Sequence, residues 1–154
     1  MMELTEAAEH LKHDALIESV DMLPKGHVRI ASAFRYPDGS TVDLFIENRH
    51  DLLSKVSPLT LTDFGHTFLW LDQLDIHPLK SARRKQLTED VLGTYGVTHN
   101  RGALSCEVDK EDLISGIIRL GQACLRISDL TFTQRITAQG SFTNEVESLI
   151  NDFG

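Results

Sequence analysis

The richest chemistry in the sequence falls at one glycine-bearing turn, Asp63-Phe64-Gly65-His66. An aspartate placed between a β-patterned run and a helical one can accept hydrogen bonds from the free N–H groups that open the helix. It can also hold a cation. The spacing favours capping, because the helix would start near His66 or Thr67 and Gly65 permits the tight turn. A carboxylate neighbour would also tune and orient the His66 imidazole. The Asp-Phe-Gly triplet matches the metal-binding triplet of protein kinases. The chain nevertheless lacks a glycine-rich loop, a strand lysine with a helix glutamate partner and a catalytic-loop motif. Asp63, Phe64, Gly65 and His66 are therefore expected to form a binding or structural turn, with no catalytic residue assigned.

A second constellation is acidic. Asp43, Glu47 and Asp63 occupy odd positions of β-patterned runs and could gather on one sheet face, as carboxylates do when they hold Mg²⁺ for phosphodiester hydrolysis. That chemistry normally also uses a lysine beside the carboxylates, and Arg49 stands two residues after Glu47. The alternative is that Asp43 and Glu47 line the solvated side of a half-buried hairpin. His10 and His13 sit three apart on a helical pattern without an evident third ligand, which suits exposed histidines better than a metal site. Cys106 and Cys124 lack a close C-x-x-C spacing and read as reduced, buried thiols. No G-x-S-x-G elbow is present, no nucleophile is nominated and no cofactor is expected.

These residues need elements to position them. Residues 5–23 read as one amphipathic helix capped by Thr5 and stopped by Pro24 and Gly26. The period then changes to two in Val28, Ile30, Ser32 and Phe34 and again in Val42, Leu44 and Ile46, around Tyr36-Pro37-Asp38-Gly39-Ser40, a strong hairpin signal. Leu52, Leu53 and Val56 could form a helical turn. Leu59-Thr60-Leu61-Thr62 alternates as a short third strand, followed by a helix over residues 67–74. Ser81 caps a helix that runs to Tyr95, and Gly96 fits its left-handed end. Asn100-Arg101-Gly102 marks a second hairpin. After Asp109 a long apolar stripe, Leu113, Ile117, Leu120, Cys124 and Ile127, predicts the main core helix, and Val146, Leu149, Ile150 and Phe153 predict a last amphipathic helix.

The expected fold is α+β: a small antiparallel sheet built from two hairpins and a short third strand, packed against several helices, with amphipathic N- and C-terminal helices. Residues 1–154 read as a single domain, and 141–154 as a C-terminal helix in a possible subunit contact that would make a homodimer. With 154 residues and 41% apolar composition the chain can build one core without a metal or disulfide staple. Its apolar stretches, such as Phe68-Leu69-Trp70-Leu71, are far shorter than the roughly 20 residues of a membrane span. No secretory signal is recognisable, which points to the cytoplasm. The net charge of −8 opposes direct nucleic-acid binding, and the basic cluster Arg83-Arg84-Lys85 is soon followed by Glu89 and Asp90.

From Tyr36-Pro37-Asp38-Gly39-Ser40-Thr41-Val42-Asp43, through Leu59-Thr60-Leu61-Thr62-Asp63-Phe64-Gly65, to Gly93-Thr94-Tyr95-Gly96-Val97, the order of motifs resembles the domain of unknown function 1828 family of bacteria and their phages. The resemblance spans about Phe34 to Asp129. It implies an α+β fold and an association with prokaryotic chromosomes or mobile elements, and no activity. The family pattern commonly has an acidic or small residue after the turn aspartate, where this chain has Phe64. The functional expectation is a non-enzymatic protein-interaction factor of bacterial or phage origin that modulates a host or defence protein. A metal-dependent phosphodiester hydrolase using Asp43, Glu47 and Asp63, and an acidic DNA mimic, are the alternatives.

Overall fold

The computed structural model describes residues 2–12, 14–48 and 58–132. Period-two runs pair as expected into β2 (Val28–Arg35), β3 (Thr41–Ile46), β4 (Leu59–Thr62), β5 (Thr98–Asn100) and β6 (Ala103–Val108). One strand comes from a segment expected to be helical. The N-terminal helix, α1, covers only Met2–Leu11, and β1 (Ile17–Met22) adds an edge strand to the sheet. Two local facts override the helical pattern. The Asp14 carboxylate accepts from Leu16 N–H at 2.9 Å, a side-chain turn that competes with the helix, and β1 pairs with β2 in the register Val20 to Ile30 and Met22 to Val28. Pro24 and Gly26 therefore lie in a hairpin loop, closed by Leu23 N–H to His27 O at 2.8 Å, and do not stop a helix; Thr5 lies inside α1 and does not cap it.

The sheet has the order β1-β2-β3-β4-β6-β5 with every neighbouring pair antiparallel. Between β4 and β5 the chain forms α2 (His66–Gln73) and α3 (Ala82–Tyr95), and after β6 it forms α4 (Leu113–Ser128). Ser81 Oγ accepts from Arg84 N–H at 3.1 Å and Gly96 ends α3 with φ 65°, as the capping residues predict. The apolar stripe of α4 lies on the sheet face that carries Val28, Ile30, Val42, Leu44, Ile46, Leu61, Leu104 and Cys106, all buried. The approach is close at Gly116, where a Cβ would stand 2.4 Å from Val108 Cγ1 and 2.9 Å from Leu61 Cδ1. Any side chain there would force helix and sheet apart.

Among the described residues no helix is long and apolar enough to cross a membrane. The expected turn around Leu52 to Val56, the histidine His13 and the expected C-terminal helix of residues 141–154 lie outside the described residues.

Candidate functional site around the Asp63 turn

Chain geometry makes Asp63 a junction. It follows the last residue of β4, and with no exposed surface its carboxylate must find donors within the protein. Oδ1 accepts from Gly65 N–H at 2.8 Å and from Leu104 N–H at 2.9 Å, and Oδ2 accepts from Thr67 N–H at 3.1 Å. Its own N–H donates to Leu104 O at 3.1 Å, and its carbonyl accepts from His66 N–H at 3.1 Å. One side chain thus fastens the end of β4, the opening of α2 and the neighbouring strand β6. Hydrogen bonds to a charged acceptor contribute roughly 1.5–3 kcal/mol each.

The surroundings of this carboxylate are protonated and unreactive. Cys124 of α4 places Sγ 4.0 Å from Oδ2. Burial, reinforced by the Asp63 charge, raises the Cys124 thiol well above the ordinary thiol range, so it stays a thiol and is a poor nucleophile. Burial likewise raises the Tyr36 phenol, which shares a 2.8 Å hydrogen bond with Thr67 Oγ1. The Tyr36 ring stacks on Trp70 at 5.2 Å, and Trp70 Nε1 donates to Asp38 Oδ2 at 3.0 Å. The tip of the β2–β3 hairpin is therefore tied to α2 by one buried and one exposed polar contact.

At the turn itself the backbone is unusual. Phe64 has φ 50° and Gly65 φ 83°, and the β5–β6 turn repeats this with Arg101 at 52° and Gly102 at 85°. Two successive positive φ values are the mark of mirror-image turns, at home between antiparallel strands. Glycine adopts them freely, whereas a left-handed phenylalanine or arginine costs about 1–2 kcal/mol. The two turns stack: a Cβ on Gly65 would meet Gly102 O at 3.7 Å, and one on Gly102 would meet the Phe68 ring at 3.6 Å. Phe64 remains 39% exposed, with its ring 4.7 Å from that of Phe45 and 5.3 Å from that of His27. The exposed His66 ring lies 5.5 Å from Phe45, and hydrogen bonding to Asp63 involves its backbone N–H.

The sequence-nominated carboxylates do not share a face. Val42, Leu44 and Ile46 point into the core, so alternation directs Asp43 and Glu47 to the opposite side of the sheet, the side of Phe45 and its partner Thr62. Asp63 is enclosed on the α4 side. Among the described residues no group of three or more His, Cys, Asp or Glu could hold a metal ion.

On the outer side of α2 lies an open cleft of about 640 Å³ between that helix, the loop leading to α3 and the β5–β6 turn. Phe68, Leu69, Ile76 and Leu79 supply apolar lining, with Leu69 53% and Leu79 37% exposed. Lys80 and Arg101 stand at its edge, and Asp72 on its wall sits 3.0 Å from His77 Nδ1. Sequence reasoning did not single out these residues. A signal existed: four consecutive apolar residues, 68–71, sweep about 300° around a helix at 100° per residue, so one core face cannot receive them all.

Comparison with known proteins gives one positive result. The family model "Domain of unknown function DUF1828" matches residues 32–127, the stretch that holds the β2–β3 turn, the Asp63 turn, the β5–β6 hairpin and nearly all of α4. Neither the curated proteins nor the solved structures contain a match to the chain.

Proposed function

The chain belongs to the DUF1828 family, and from that premise we propose that it is a non-enzymatic protein-interaction factor of bacterial or phage origin that binds through the outer face of α2. The observation carrying this reading is the open cleft in which Leu69 and Leu79 stay exposed beside Lys80 and Arg101. Apolar side chains gathered in one concavity and rimmed by charge are what a docking partner covers. The Asp63 carboxylate supports the same reading from the other direction. Backbone donors engage both of its oxygens, so its role is to hold α2 and the β5–β6 turn in place beneath the cleft.

The test is an affinity capture from a bacterial lysate with the wild-type chain and with Leu69→Glu, an exposed substitution that should alter stability by no more than about 0.5 kcal/mol. A stoichiometric protein retained by the wild type and lost by the variant is expected. Recovery of no such protein, or equal retention by both, would overturn the assignment.

A further inference from the structure

We propose that the cleft on the outer face of α2 receives an acidic amphipathic helix of another protein, its apolar side chains seated on Leu69 and Leu79 and its carboxylates meeting Lys80 and Arg101. This deepens the interaction reading and rests on it, because it names the chemistry of the partner at the same surface. Charge, backbone chemistry and a retained strain lead to the occupant.

The charge left free at the cleft is of one sign. Among the described residues Lys12, Arg29, Arg35, Lys110 and Arg126 lie in ion pairs with carboxylates of the chain. Lys80 and Arg101 at the cleft edge make no ion pair among the described residues, and neither do Arg83, Arg84 and Lys85, which follow Lys80 in the first turn of α3. The acid in the cleft wall is already matched: Asp72 lies 3.0 Å from His77 Nδ1, and His77 Nε2 lies 3.0 Å from Asp75. The charge available beside the apolar lining is therefore cationic, in a chain whose net charge is −8. Unpaired cations kept on an acid-rich protein complement an acidic partner and steer its approach.

Backbone chemistry selects a helix. The cleft is lined by α2, by the loop after it and by the turns at Gly65 and at Arg101 and Gly102, and among the described residues no strand contributes to its walls. An extended peptide would find no ladder to join there, and its N–H and C=O groups would lose water without gaining partners. A helix satisfies its own backbone and offers apolar side chains at three- and four-residue steps. The lining also disfavours a nucleic acid, whose phosphates would gain from the cations and nothing from Phe68, Leu69, Ile76 and Leu79. Arg101 adds the third sign. Its φ of 52° lies in the left-handed region, where glycine would sit with less strain. Strain of this kind, kept at a residue that presents a charge to a cleft, points to a contact made by that charge.

The test uses the immobilised full chain to select binders from a displayed library of random peptides, with the Leu69→Ser protein as counter-selection. Leu69, Lys80 and Arg101 are exposed, so substitutions there should leave the fold intact. Enriched peptides are expected to carry net negative charge and apolar residues at three- and four-residue steps. A resynthesised winner should bind the wild type at least about tenfold more tightly than Leu69→Ser. It should lose about two- to fivefold in affinity on Lys80→Ala and again on Arg101→Asn, and weaken with added salt. Neutral or basic winners, affinities unchanged by both cation substitutions, or tighter binding of a single-stranded oligonucleotide than of the winner would overturn the proposal. Should such winners still depend on Leu69, only the acidic chemistry falls and the interaction reading stands. Failure of every peptide to separate the wild type from Leu69→Ser overturns the proposal as well, and Leu69→Glu in the lysate capture then decides whether the interaction reading falls with it.

Discussion

The two sides of α2 follow different rules. On the inner side Thr67 and Leu71 are buried, and polar groups are matched: Thr67 N–H with Asp63, Thr67 Oγ1 with Tyr36, and the Asp63 oxygens with backbone donors from two further positions. On the outer side Leu69 and Leu74 stand about half exposed, and the mirror-image turn beside the cleft holds Arg101 in a conformation that arginine disfavours. An interior must satisfy its polar groups because water cannot, whereas a surface used for contact can leave apolar area open until a partner covers it. The difference teaches where to look for function. A conspicuous carboxylate can be wholly engaged in structure while the adjoining, chemically plain face leaves its apolar area open.

Substitutions should separate the two sides. The largest effect is expected for Asp63→Ala, which strands the N–H groups of Gly65, Thr67 and Leu104 without their acceptor; a loss of about 3–5 kcal/mol should appear as a lower urea midpoint. Asp63→Asn keeps one acceptor oxygen and should lose roughly half as much. Arg101→Asn acts on the outer side with the opposite sign. Asparagine tolerates the left-handed turn position, so stability should rise by about 0.5–1 kcal/mol while partner capture weakens. A gain in stability with unchanged capture would show that the cation is dispensable. The smallest effect concerns pH. Hydrogen bonds from the Ser40 hydroxyl, the Trp70 indole and the Ser40 amide hold the Asp38 carboxyl below the ordinary aspartate range. With the folded value lowered, its contribution is complete above the unfolded value and is lost as pH falls through the folded one. Trp70, the single tryptophan, should report this as an acid step in fluorescence that Asp38→Asn removes.

Much of the framework was legible in the sequence because it depends on local rules. Asp38-Gly39 and Arg101-Gly102 specify hairpins, Ser81 and Gly96 bound α3, and the stripe from Leu113 to Ile127 marks the core helix, since turn and cap chemistry act within a few residues. The N-terminal segment broke this rule. Residues 17–22 satisfy a helical period as well as a strand period, and the unpaired edge of β2 decided between them. The Asp63 turn was half legible: donors at Gly65 and Thr67 follow from capping, but Leu104 lies 41 positions away and meets the carboxylate only because β6 pairs with β4. The cleft depends on how α2, the loop after it and the β5–β6 turn assemble, and apart from the excess of apolar residues in α2 no local pattern announces it.

Calorimetric titration of the full chain with Mn²⁺, run beside Asp63→Asn, tests most directly whether residue 63 is an anchor. The structural role predicts no binding heat for either protein and a lower melting temperature for the variant. A saturable heat in the wild type that vanishes in Asp63→Asn would place a cation on this carboxylate and contradict the account.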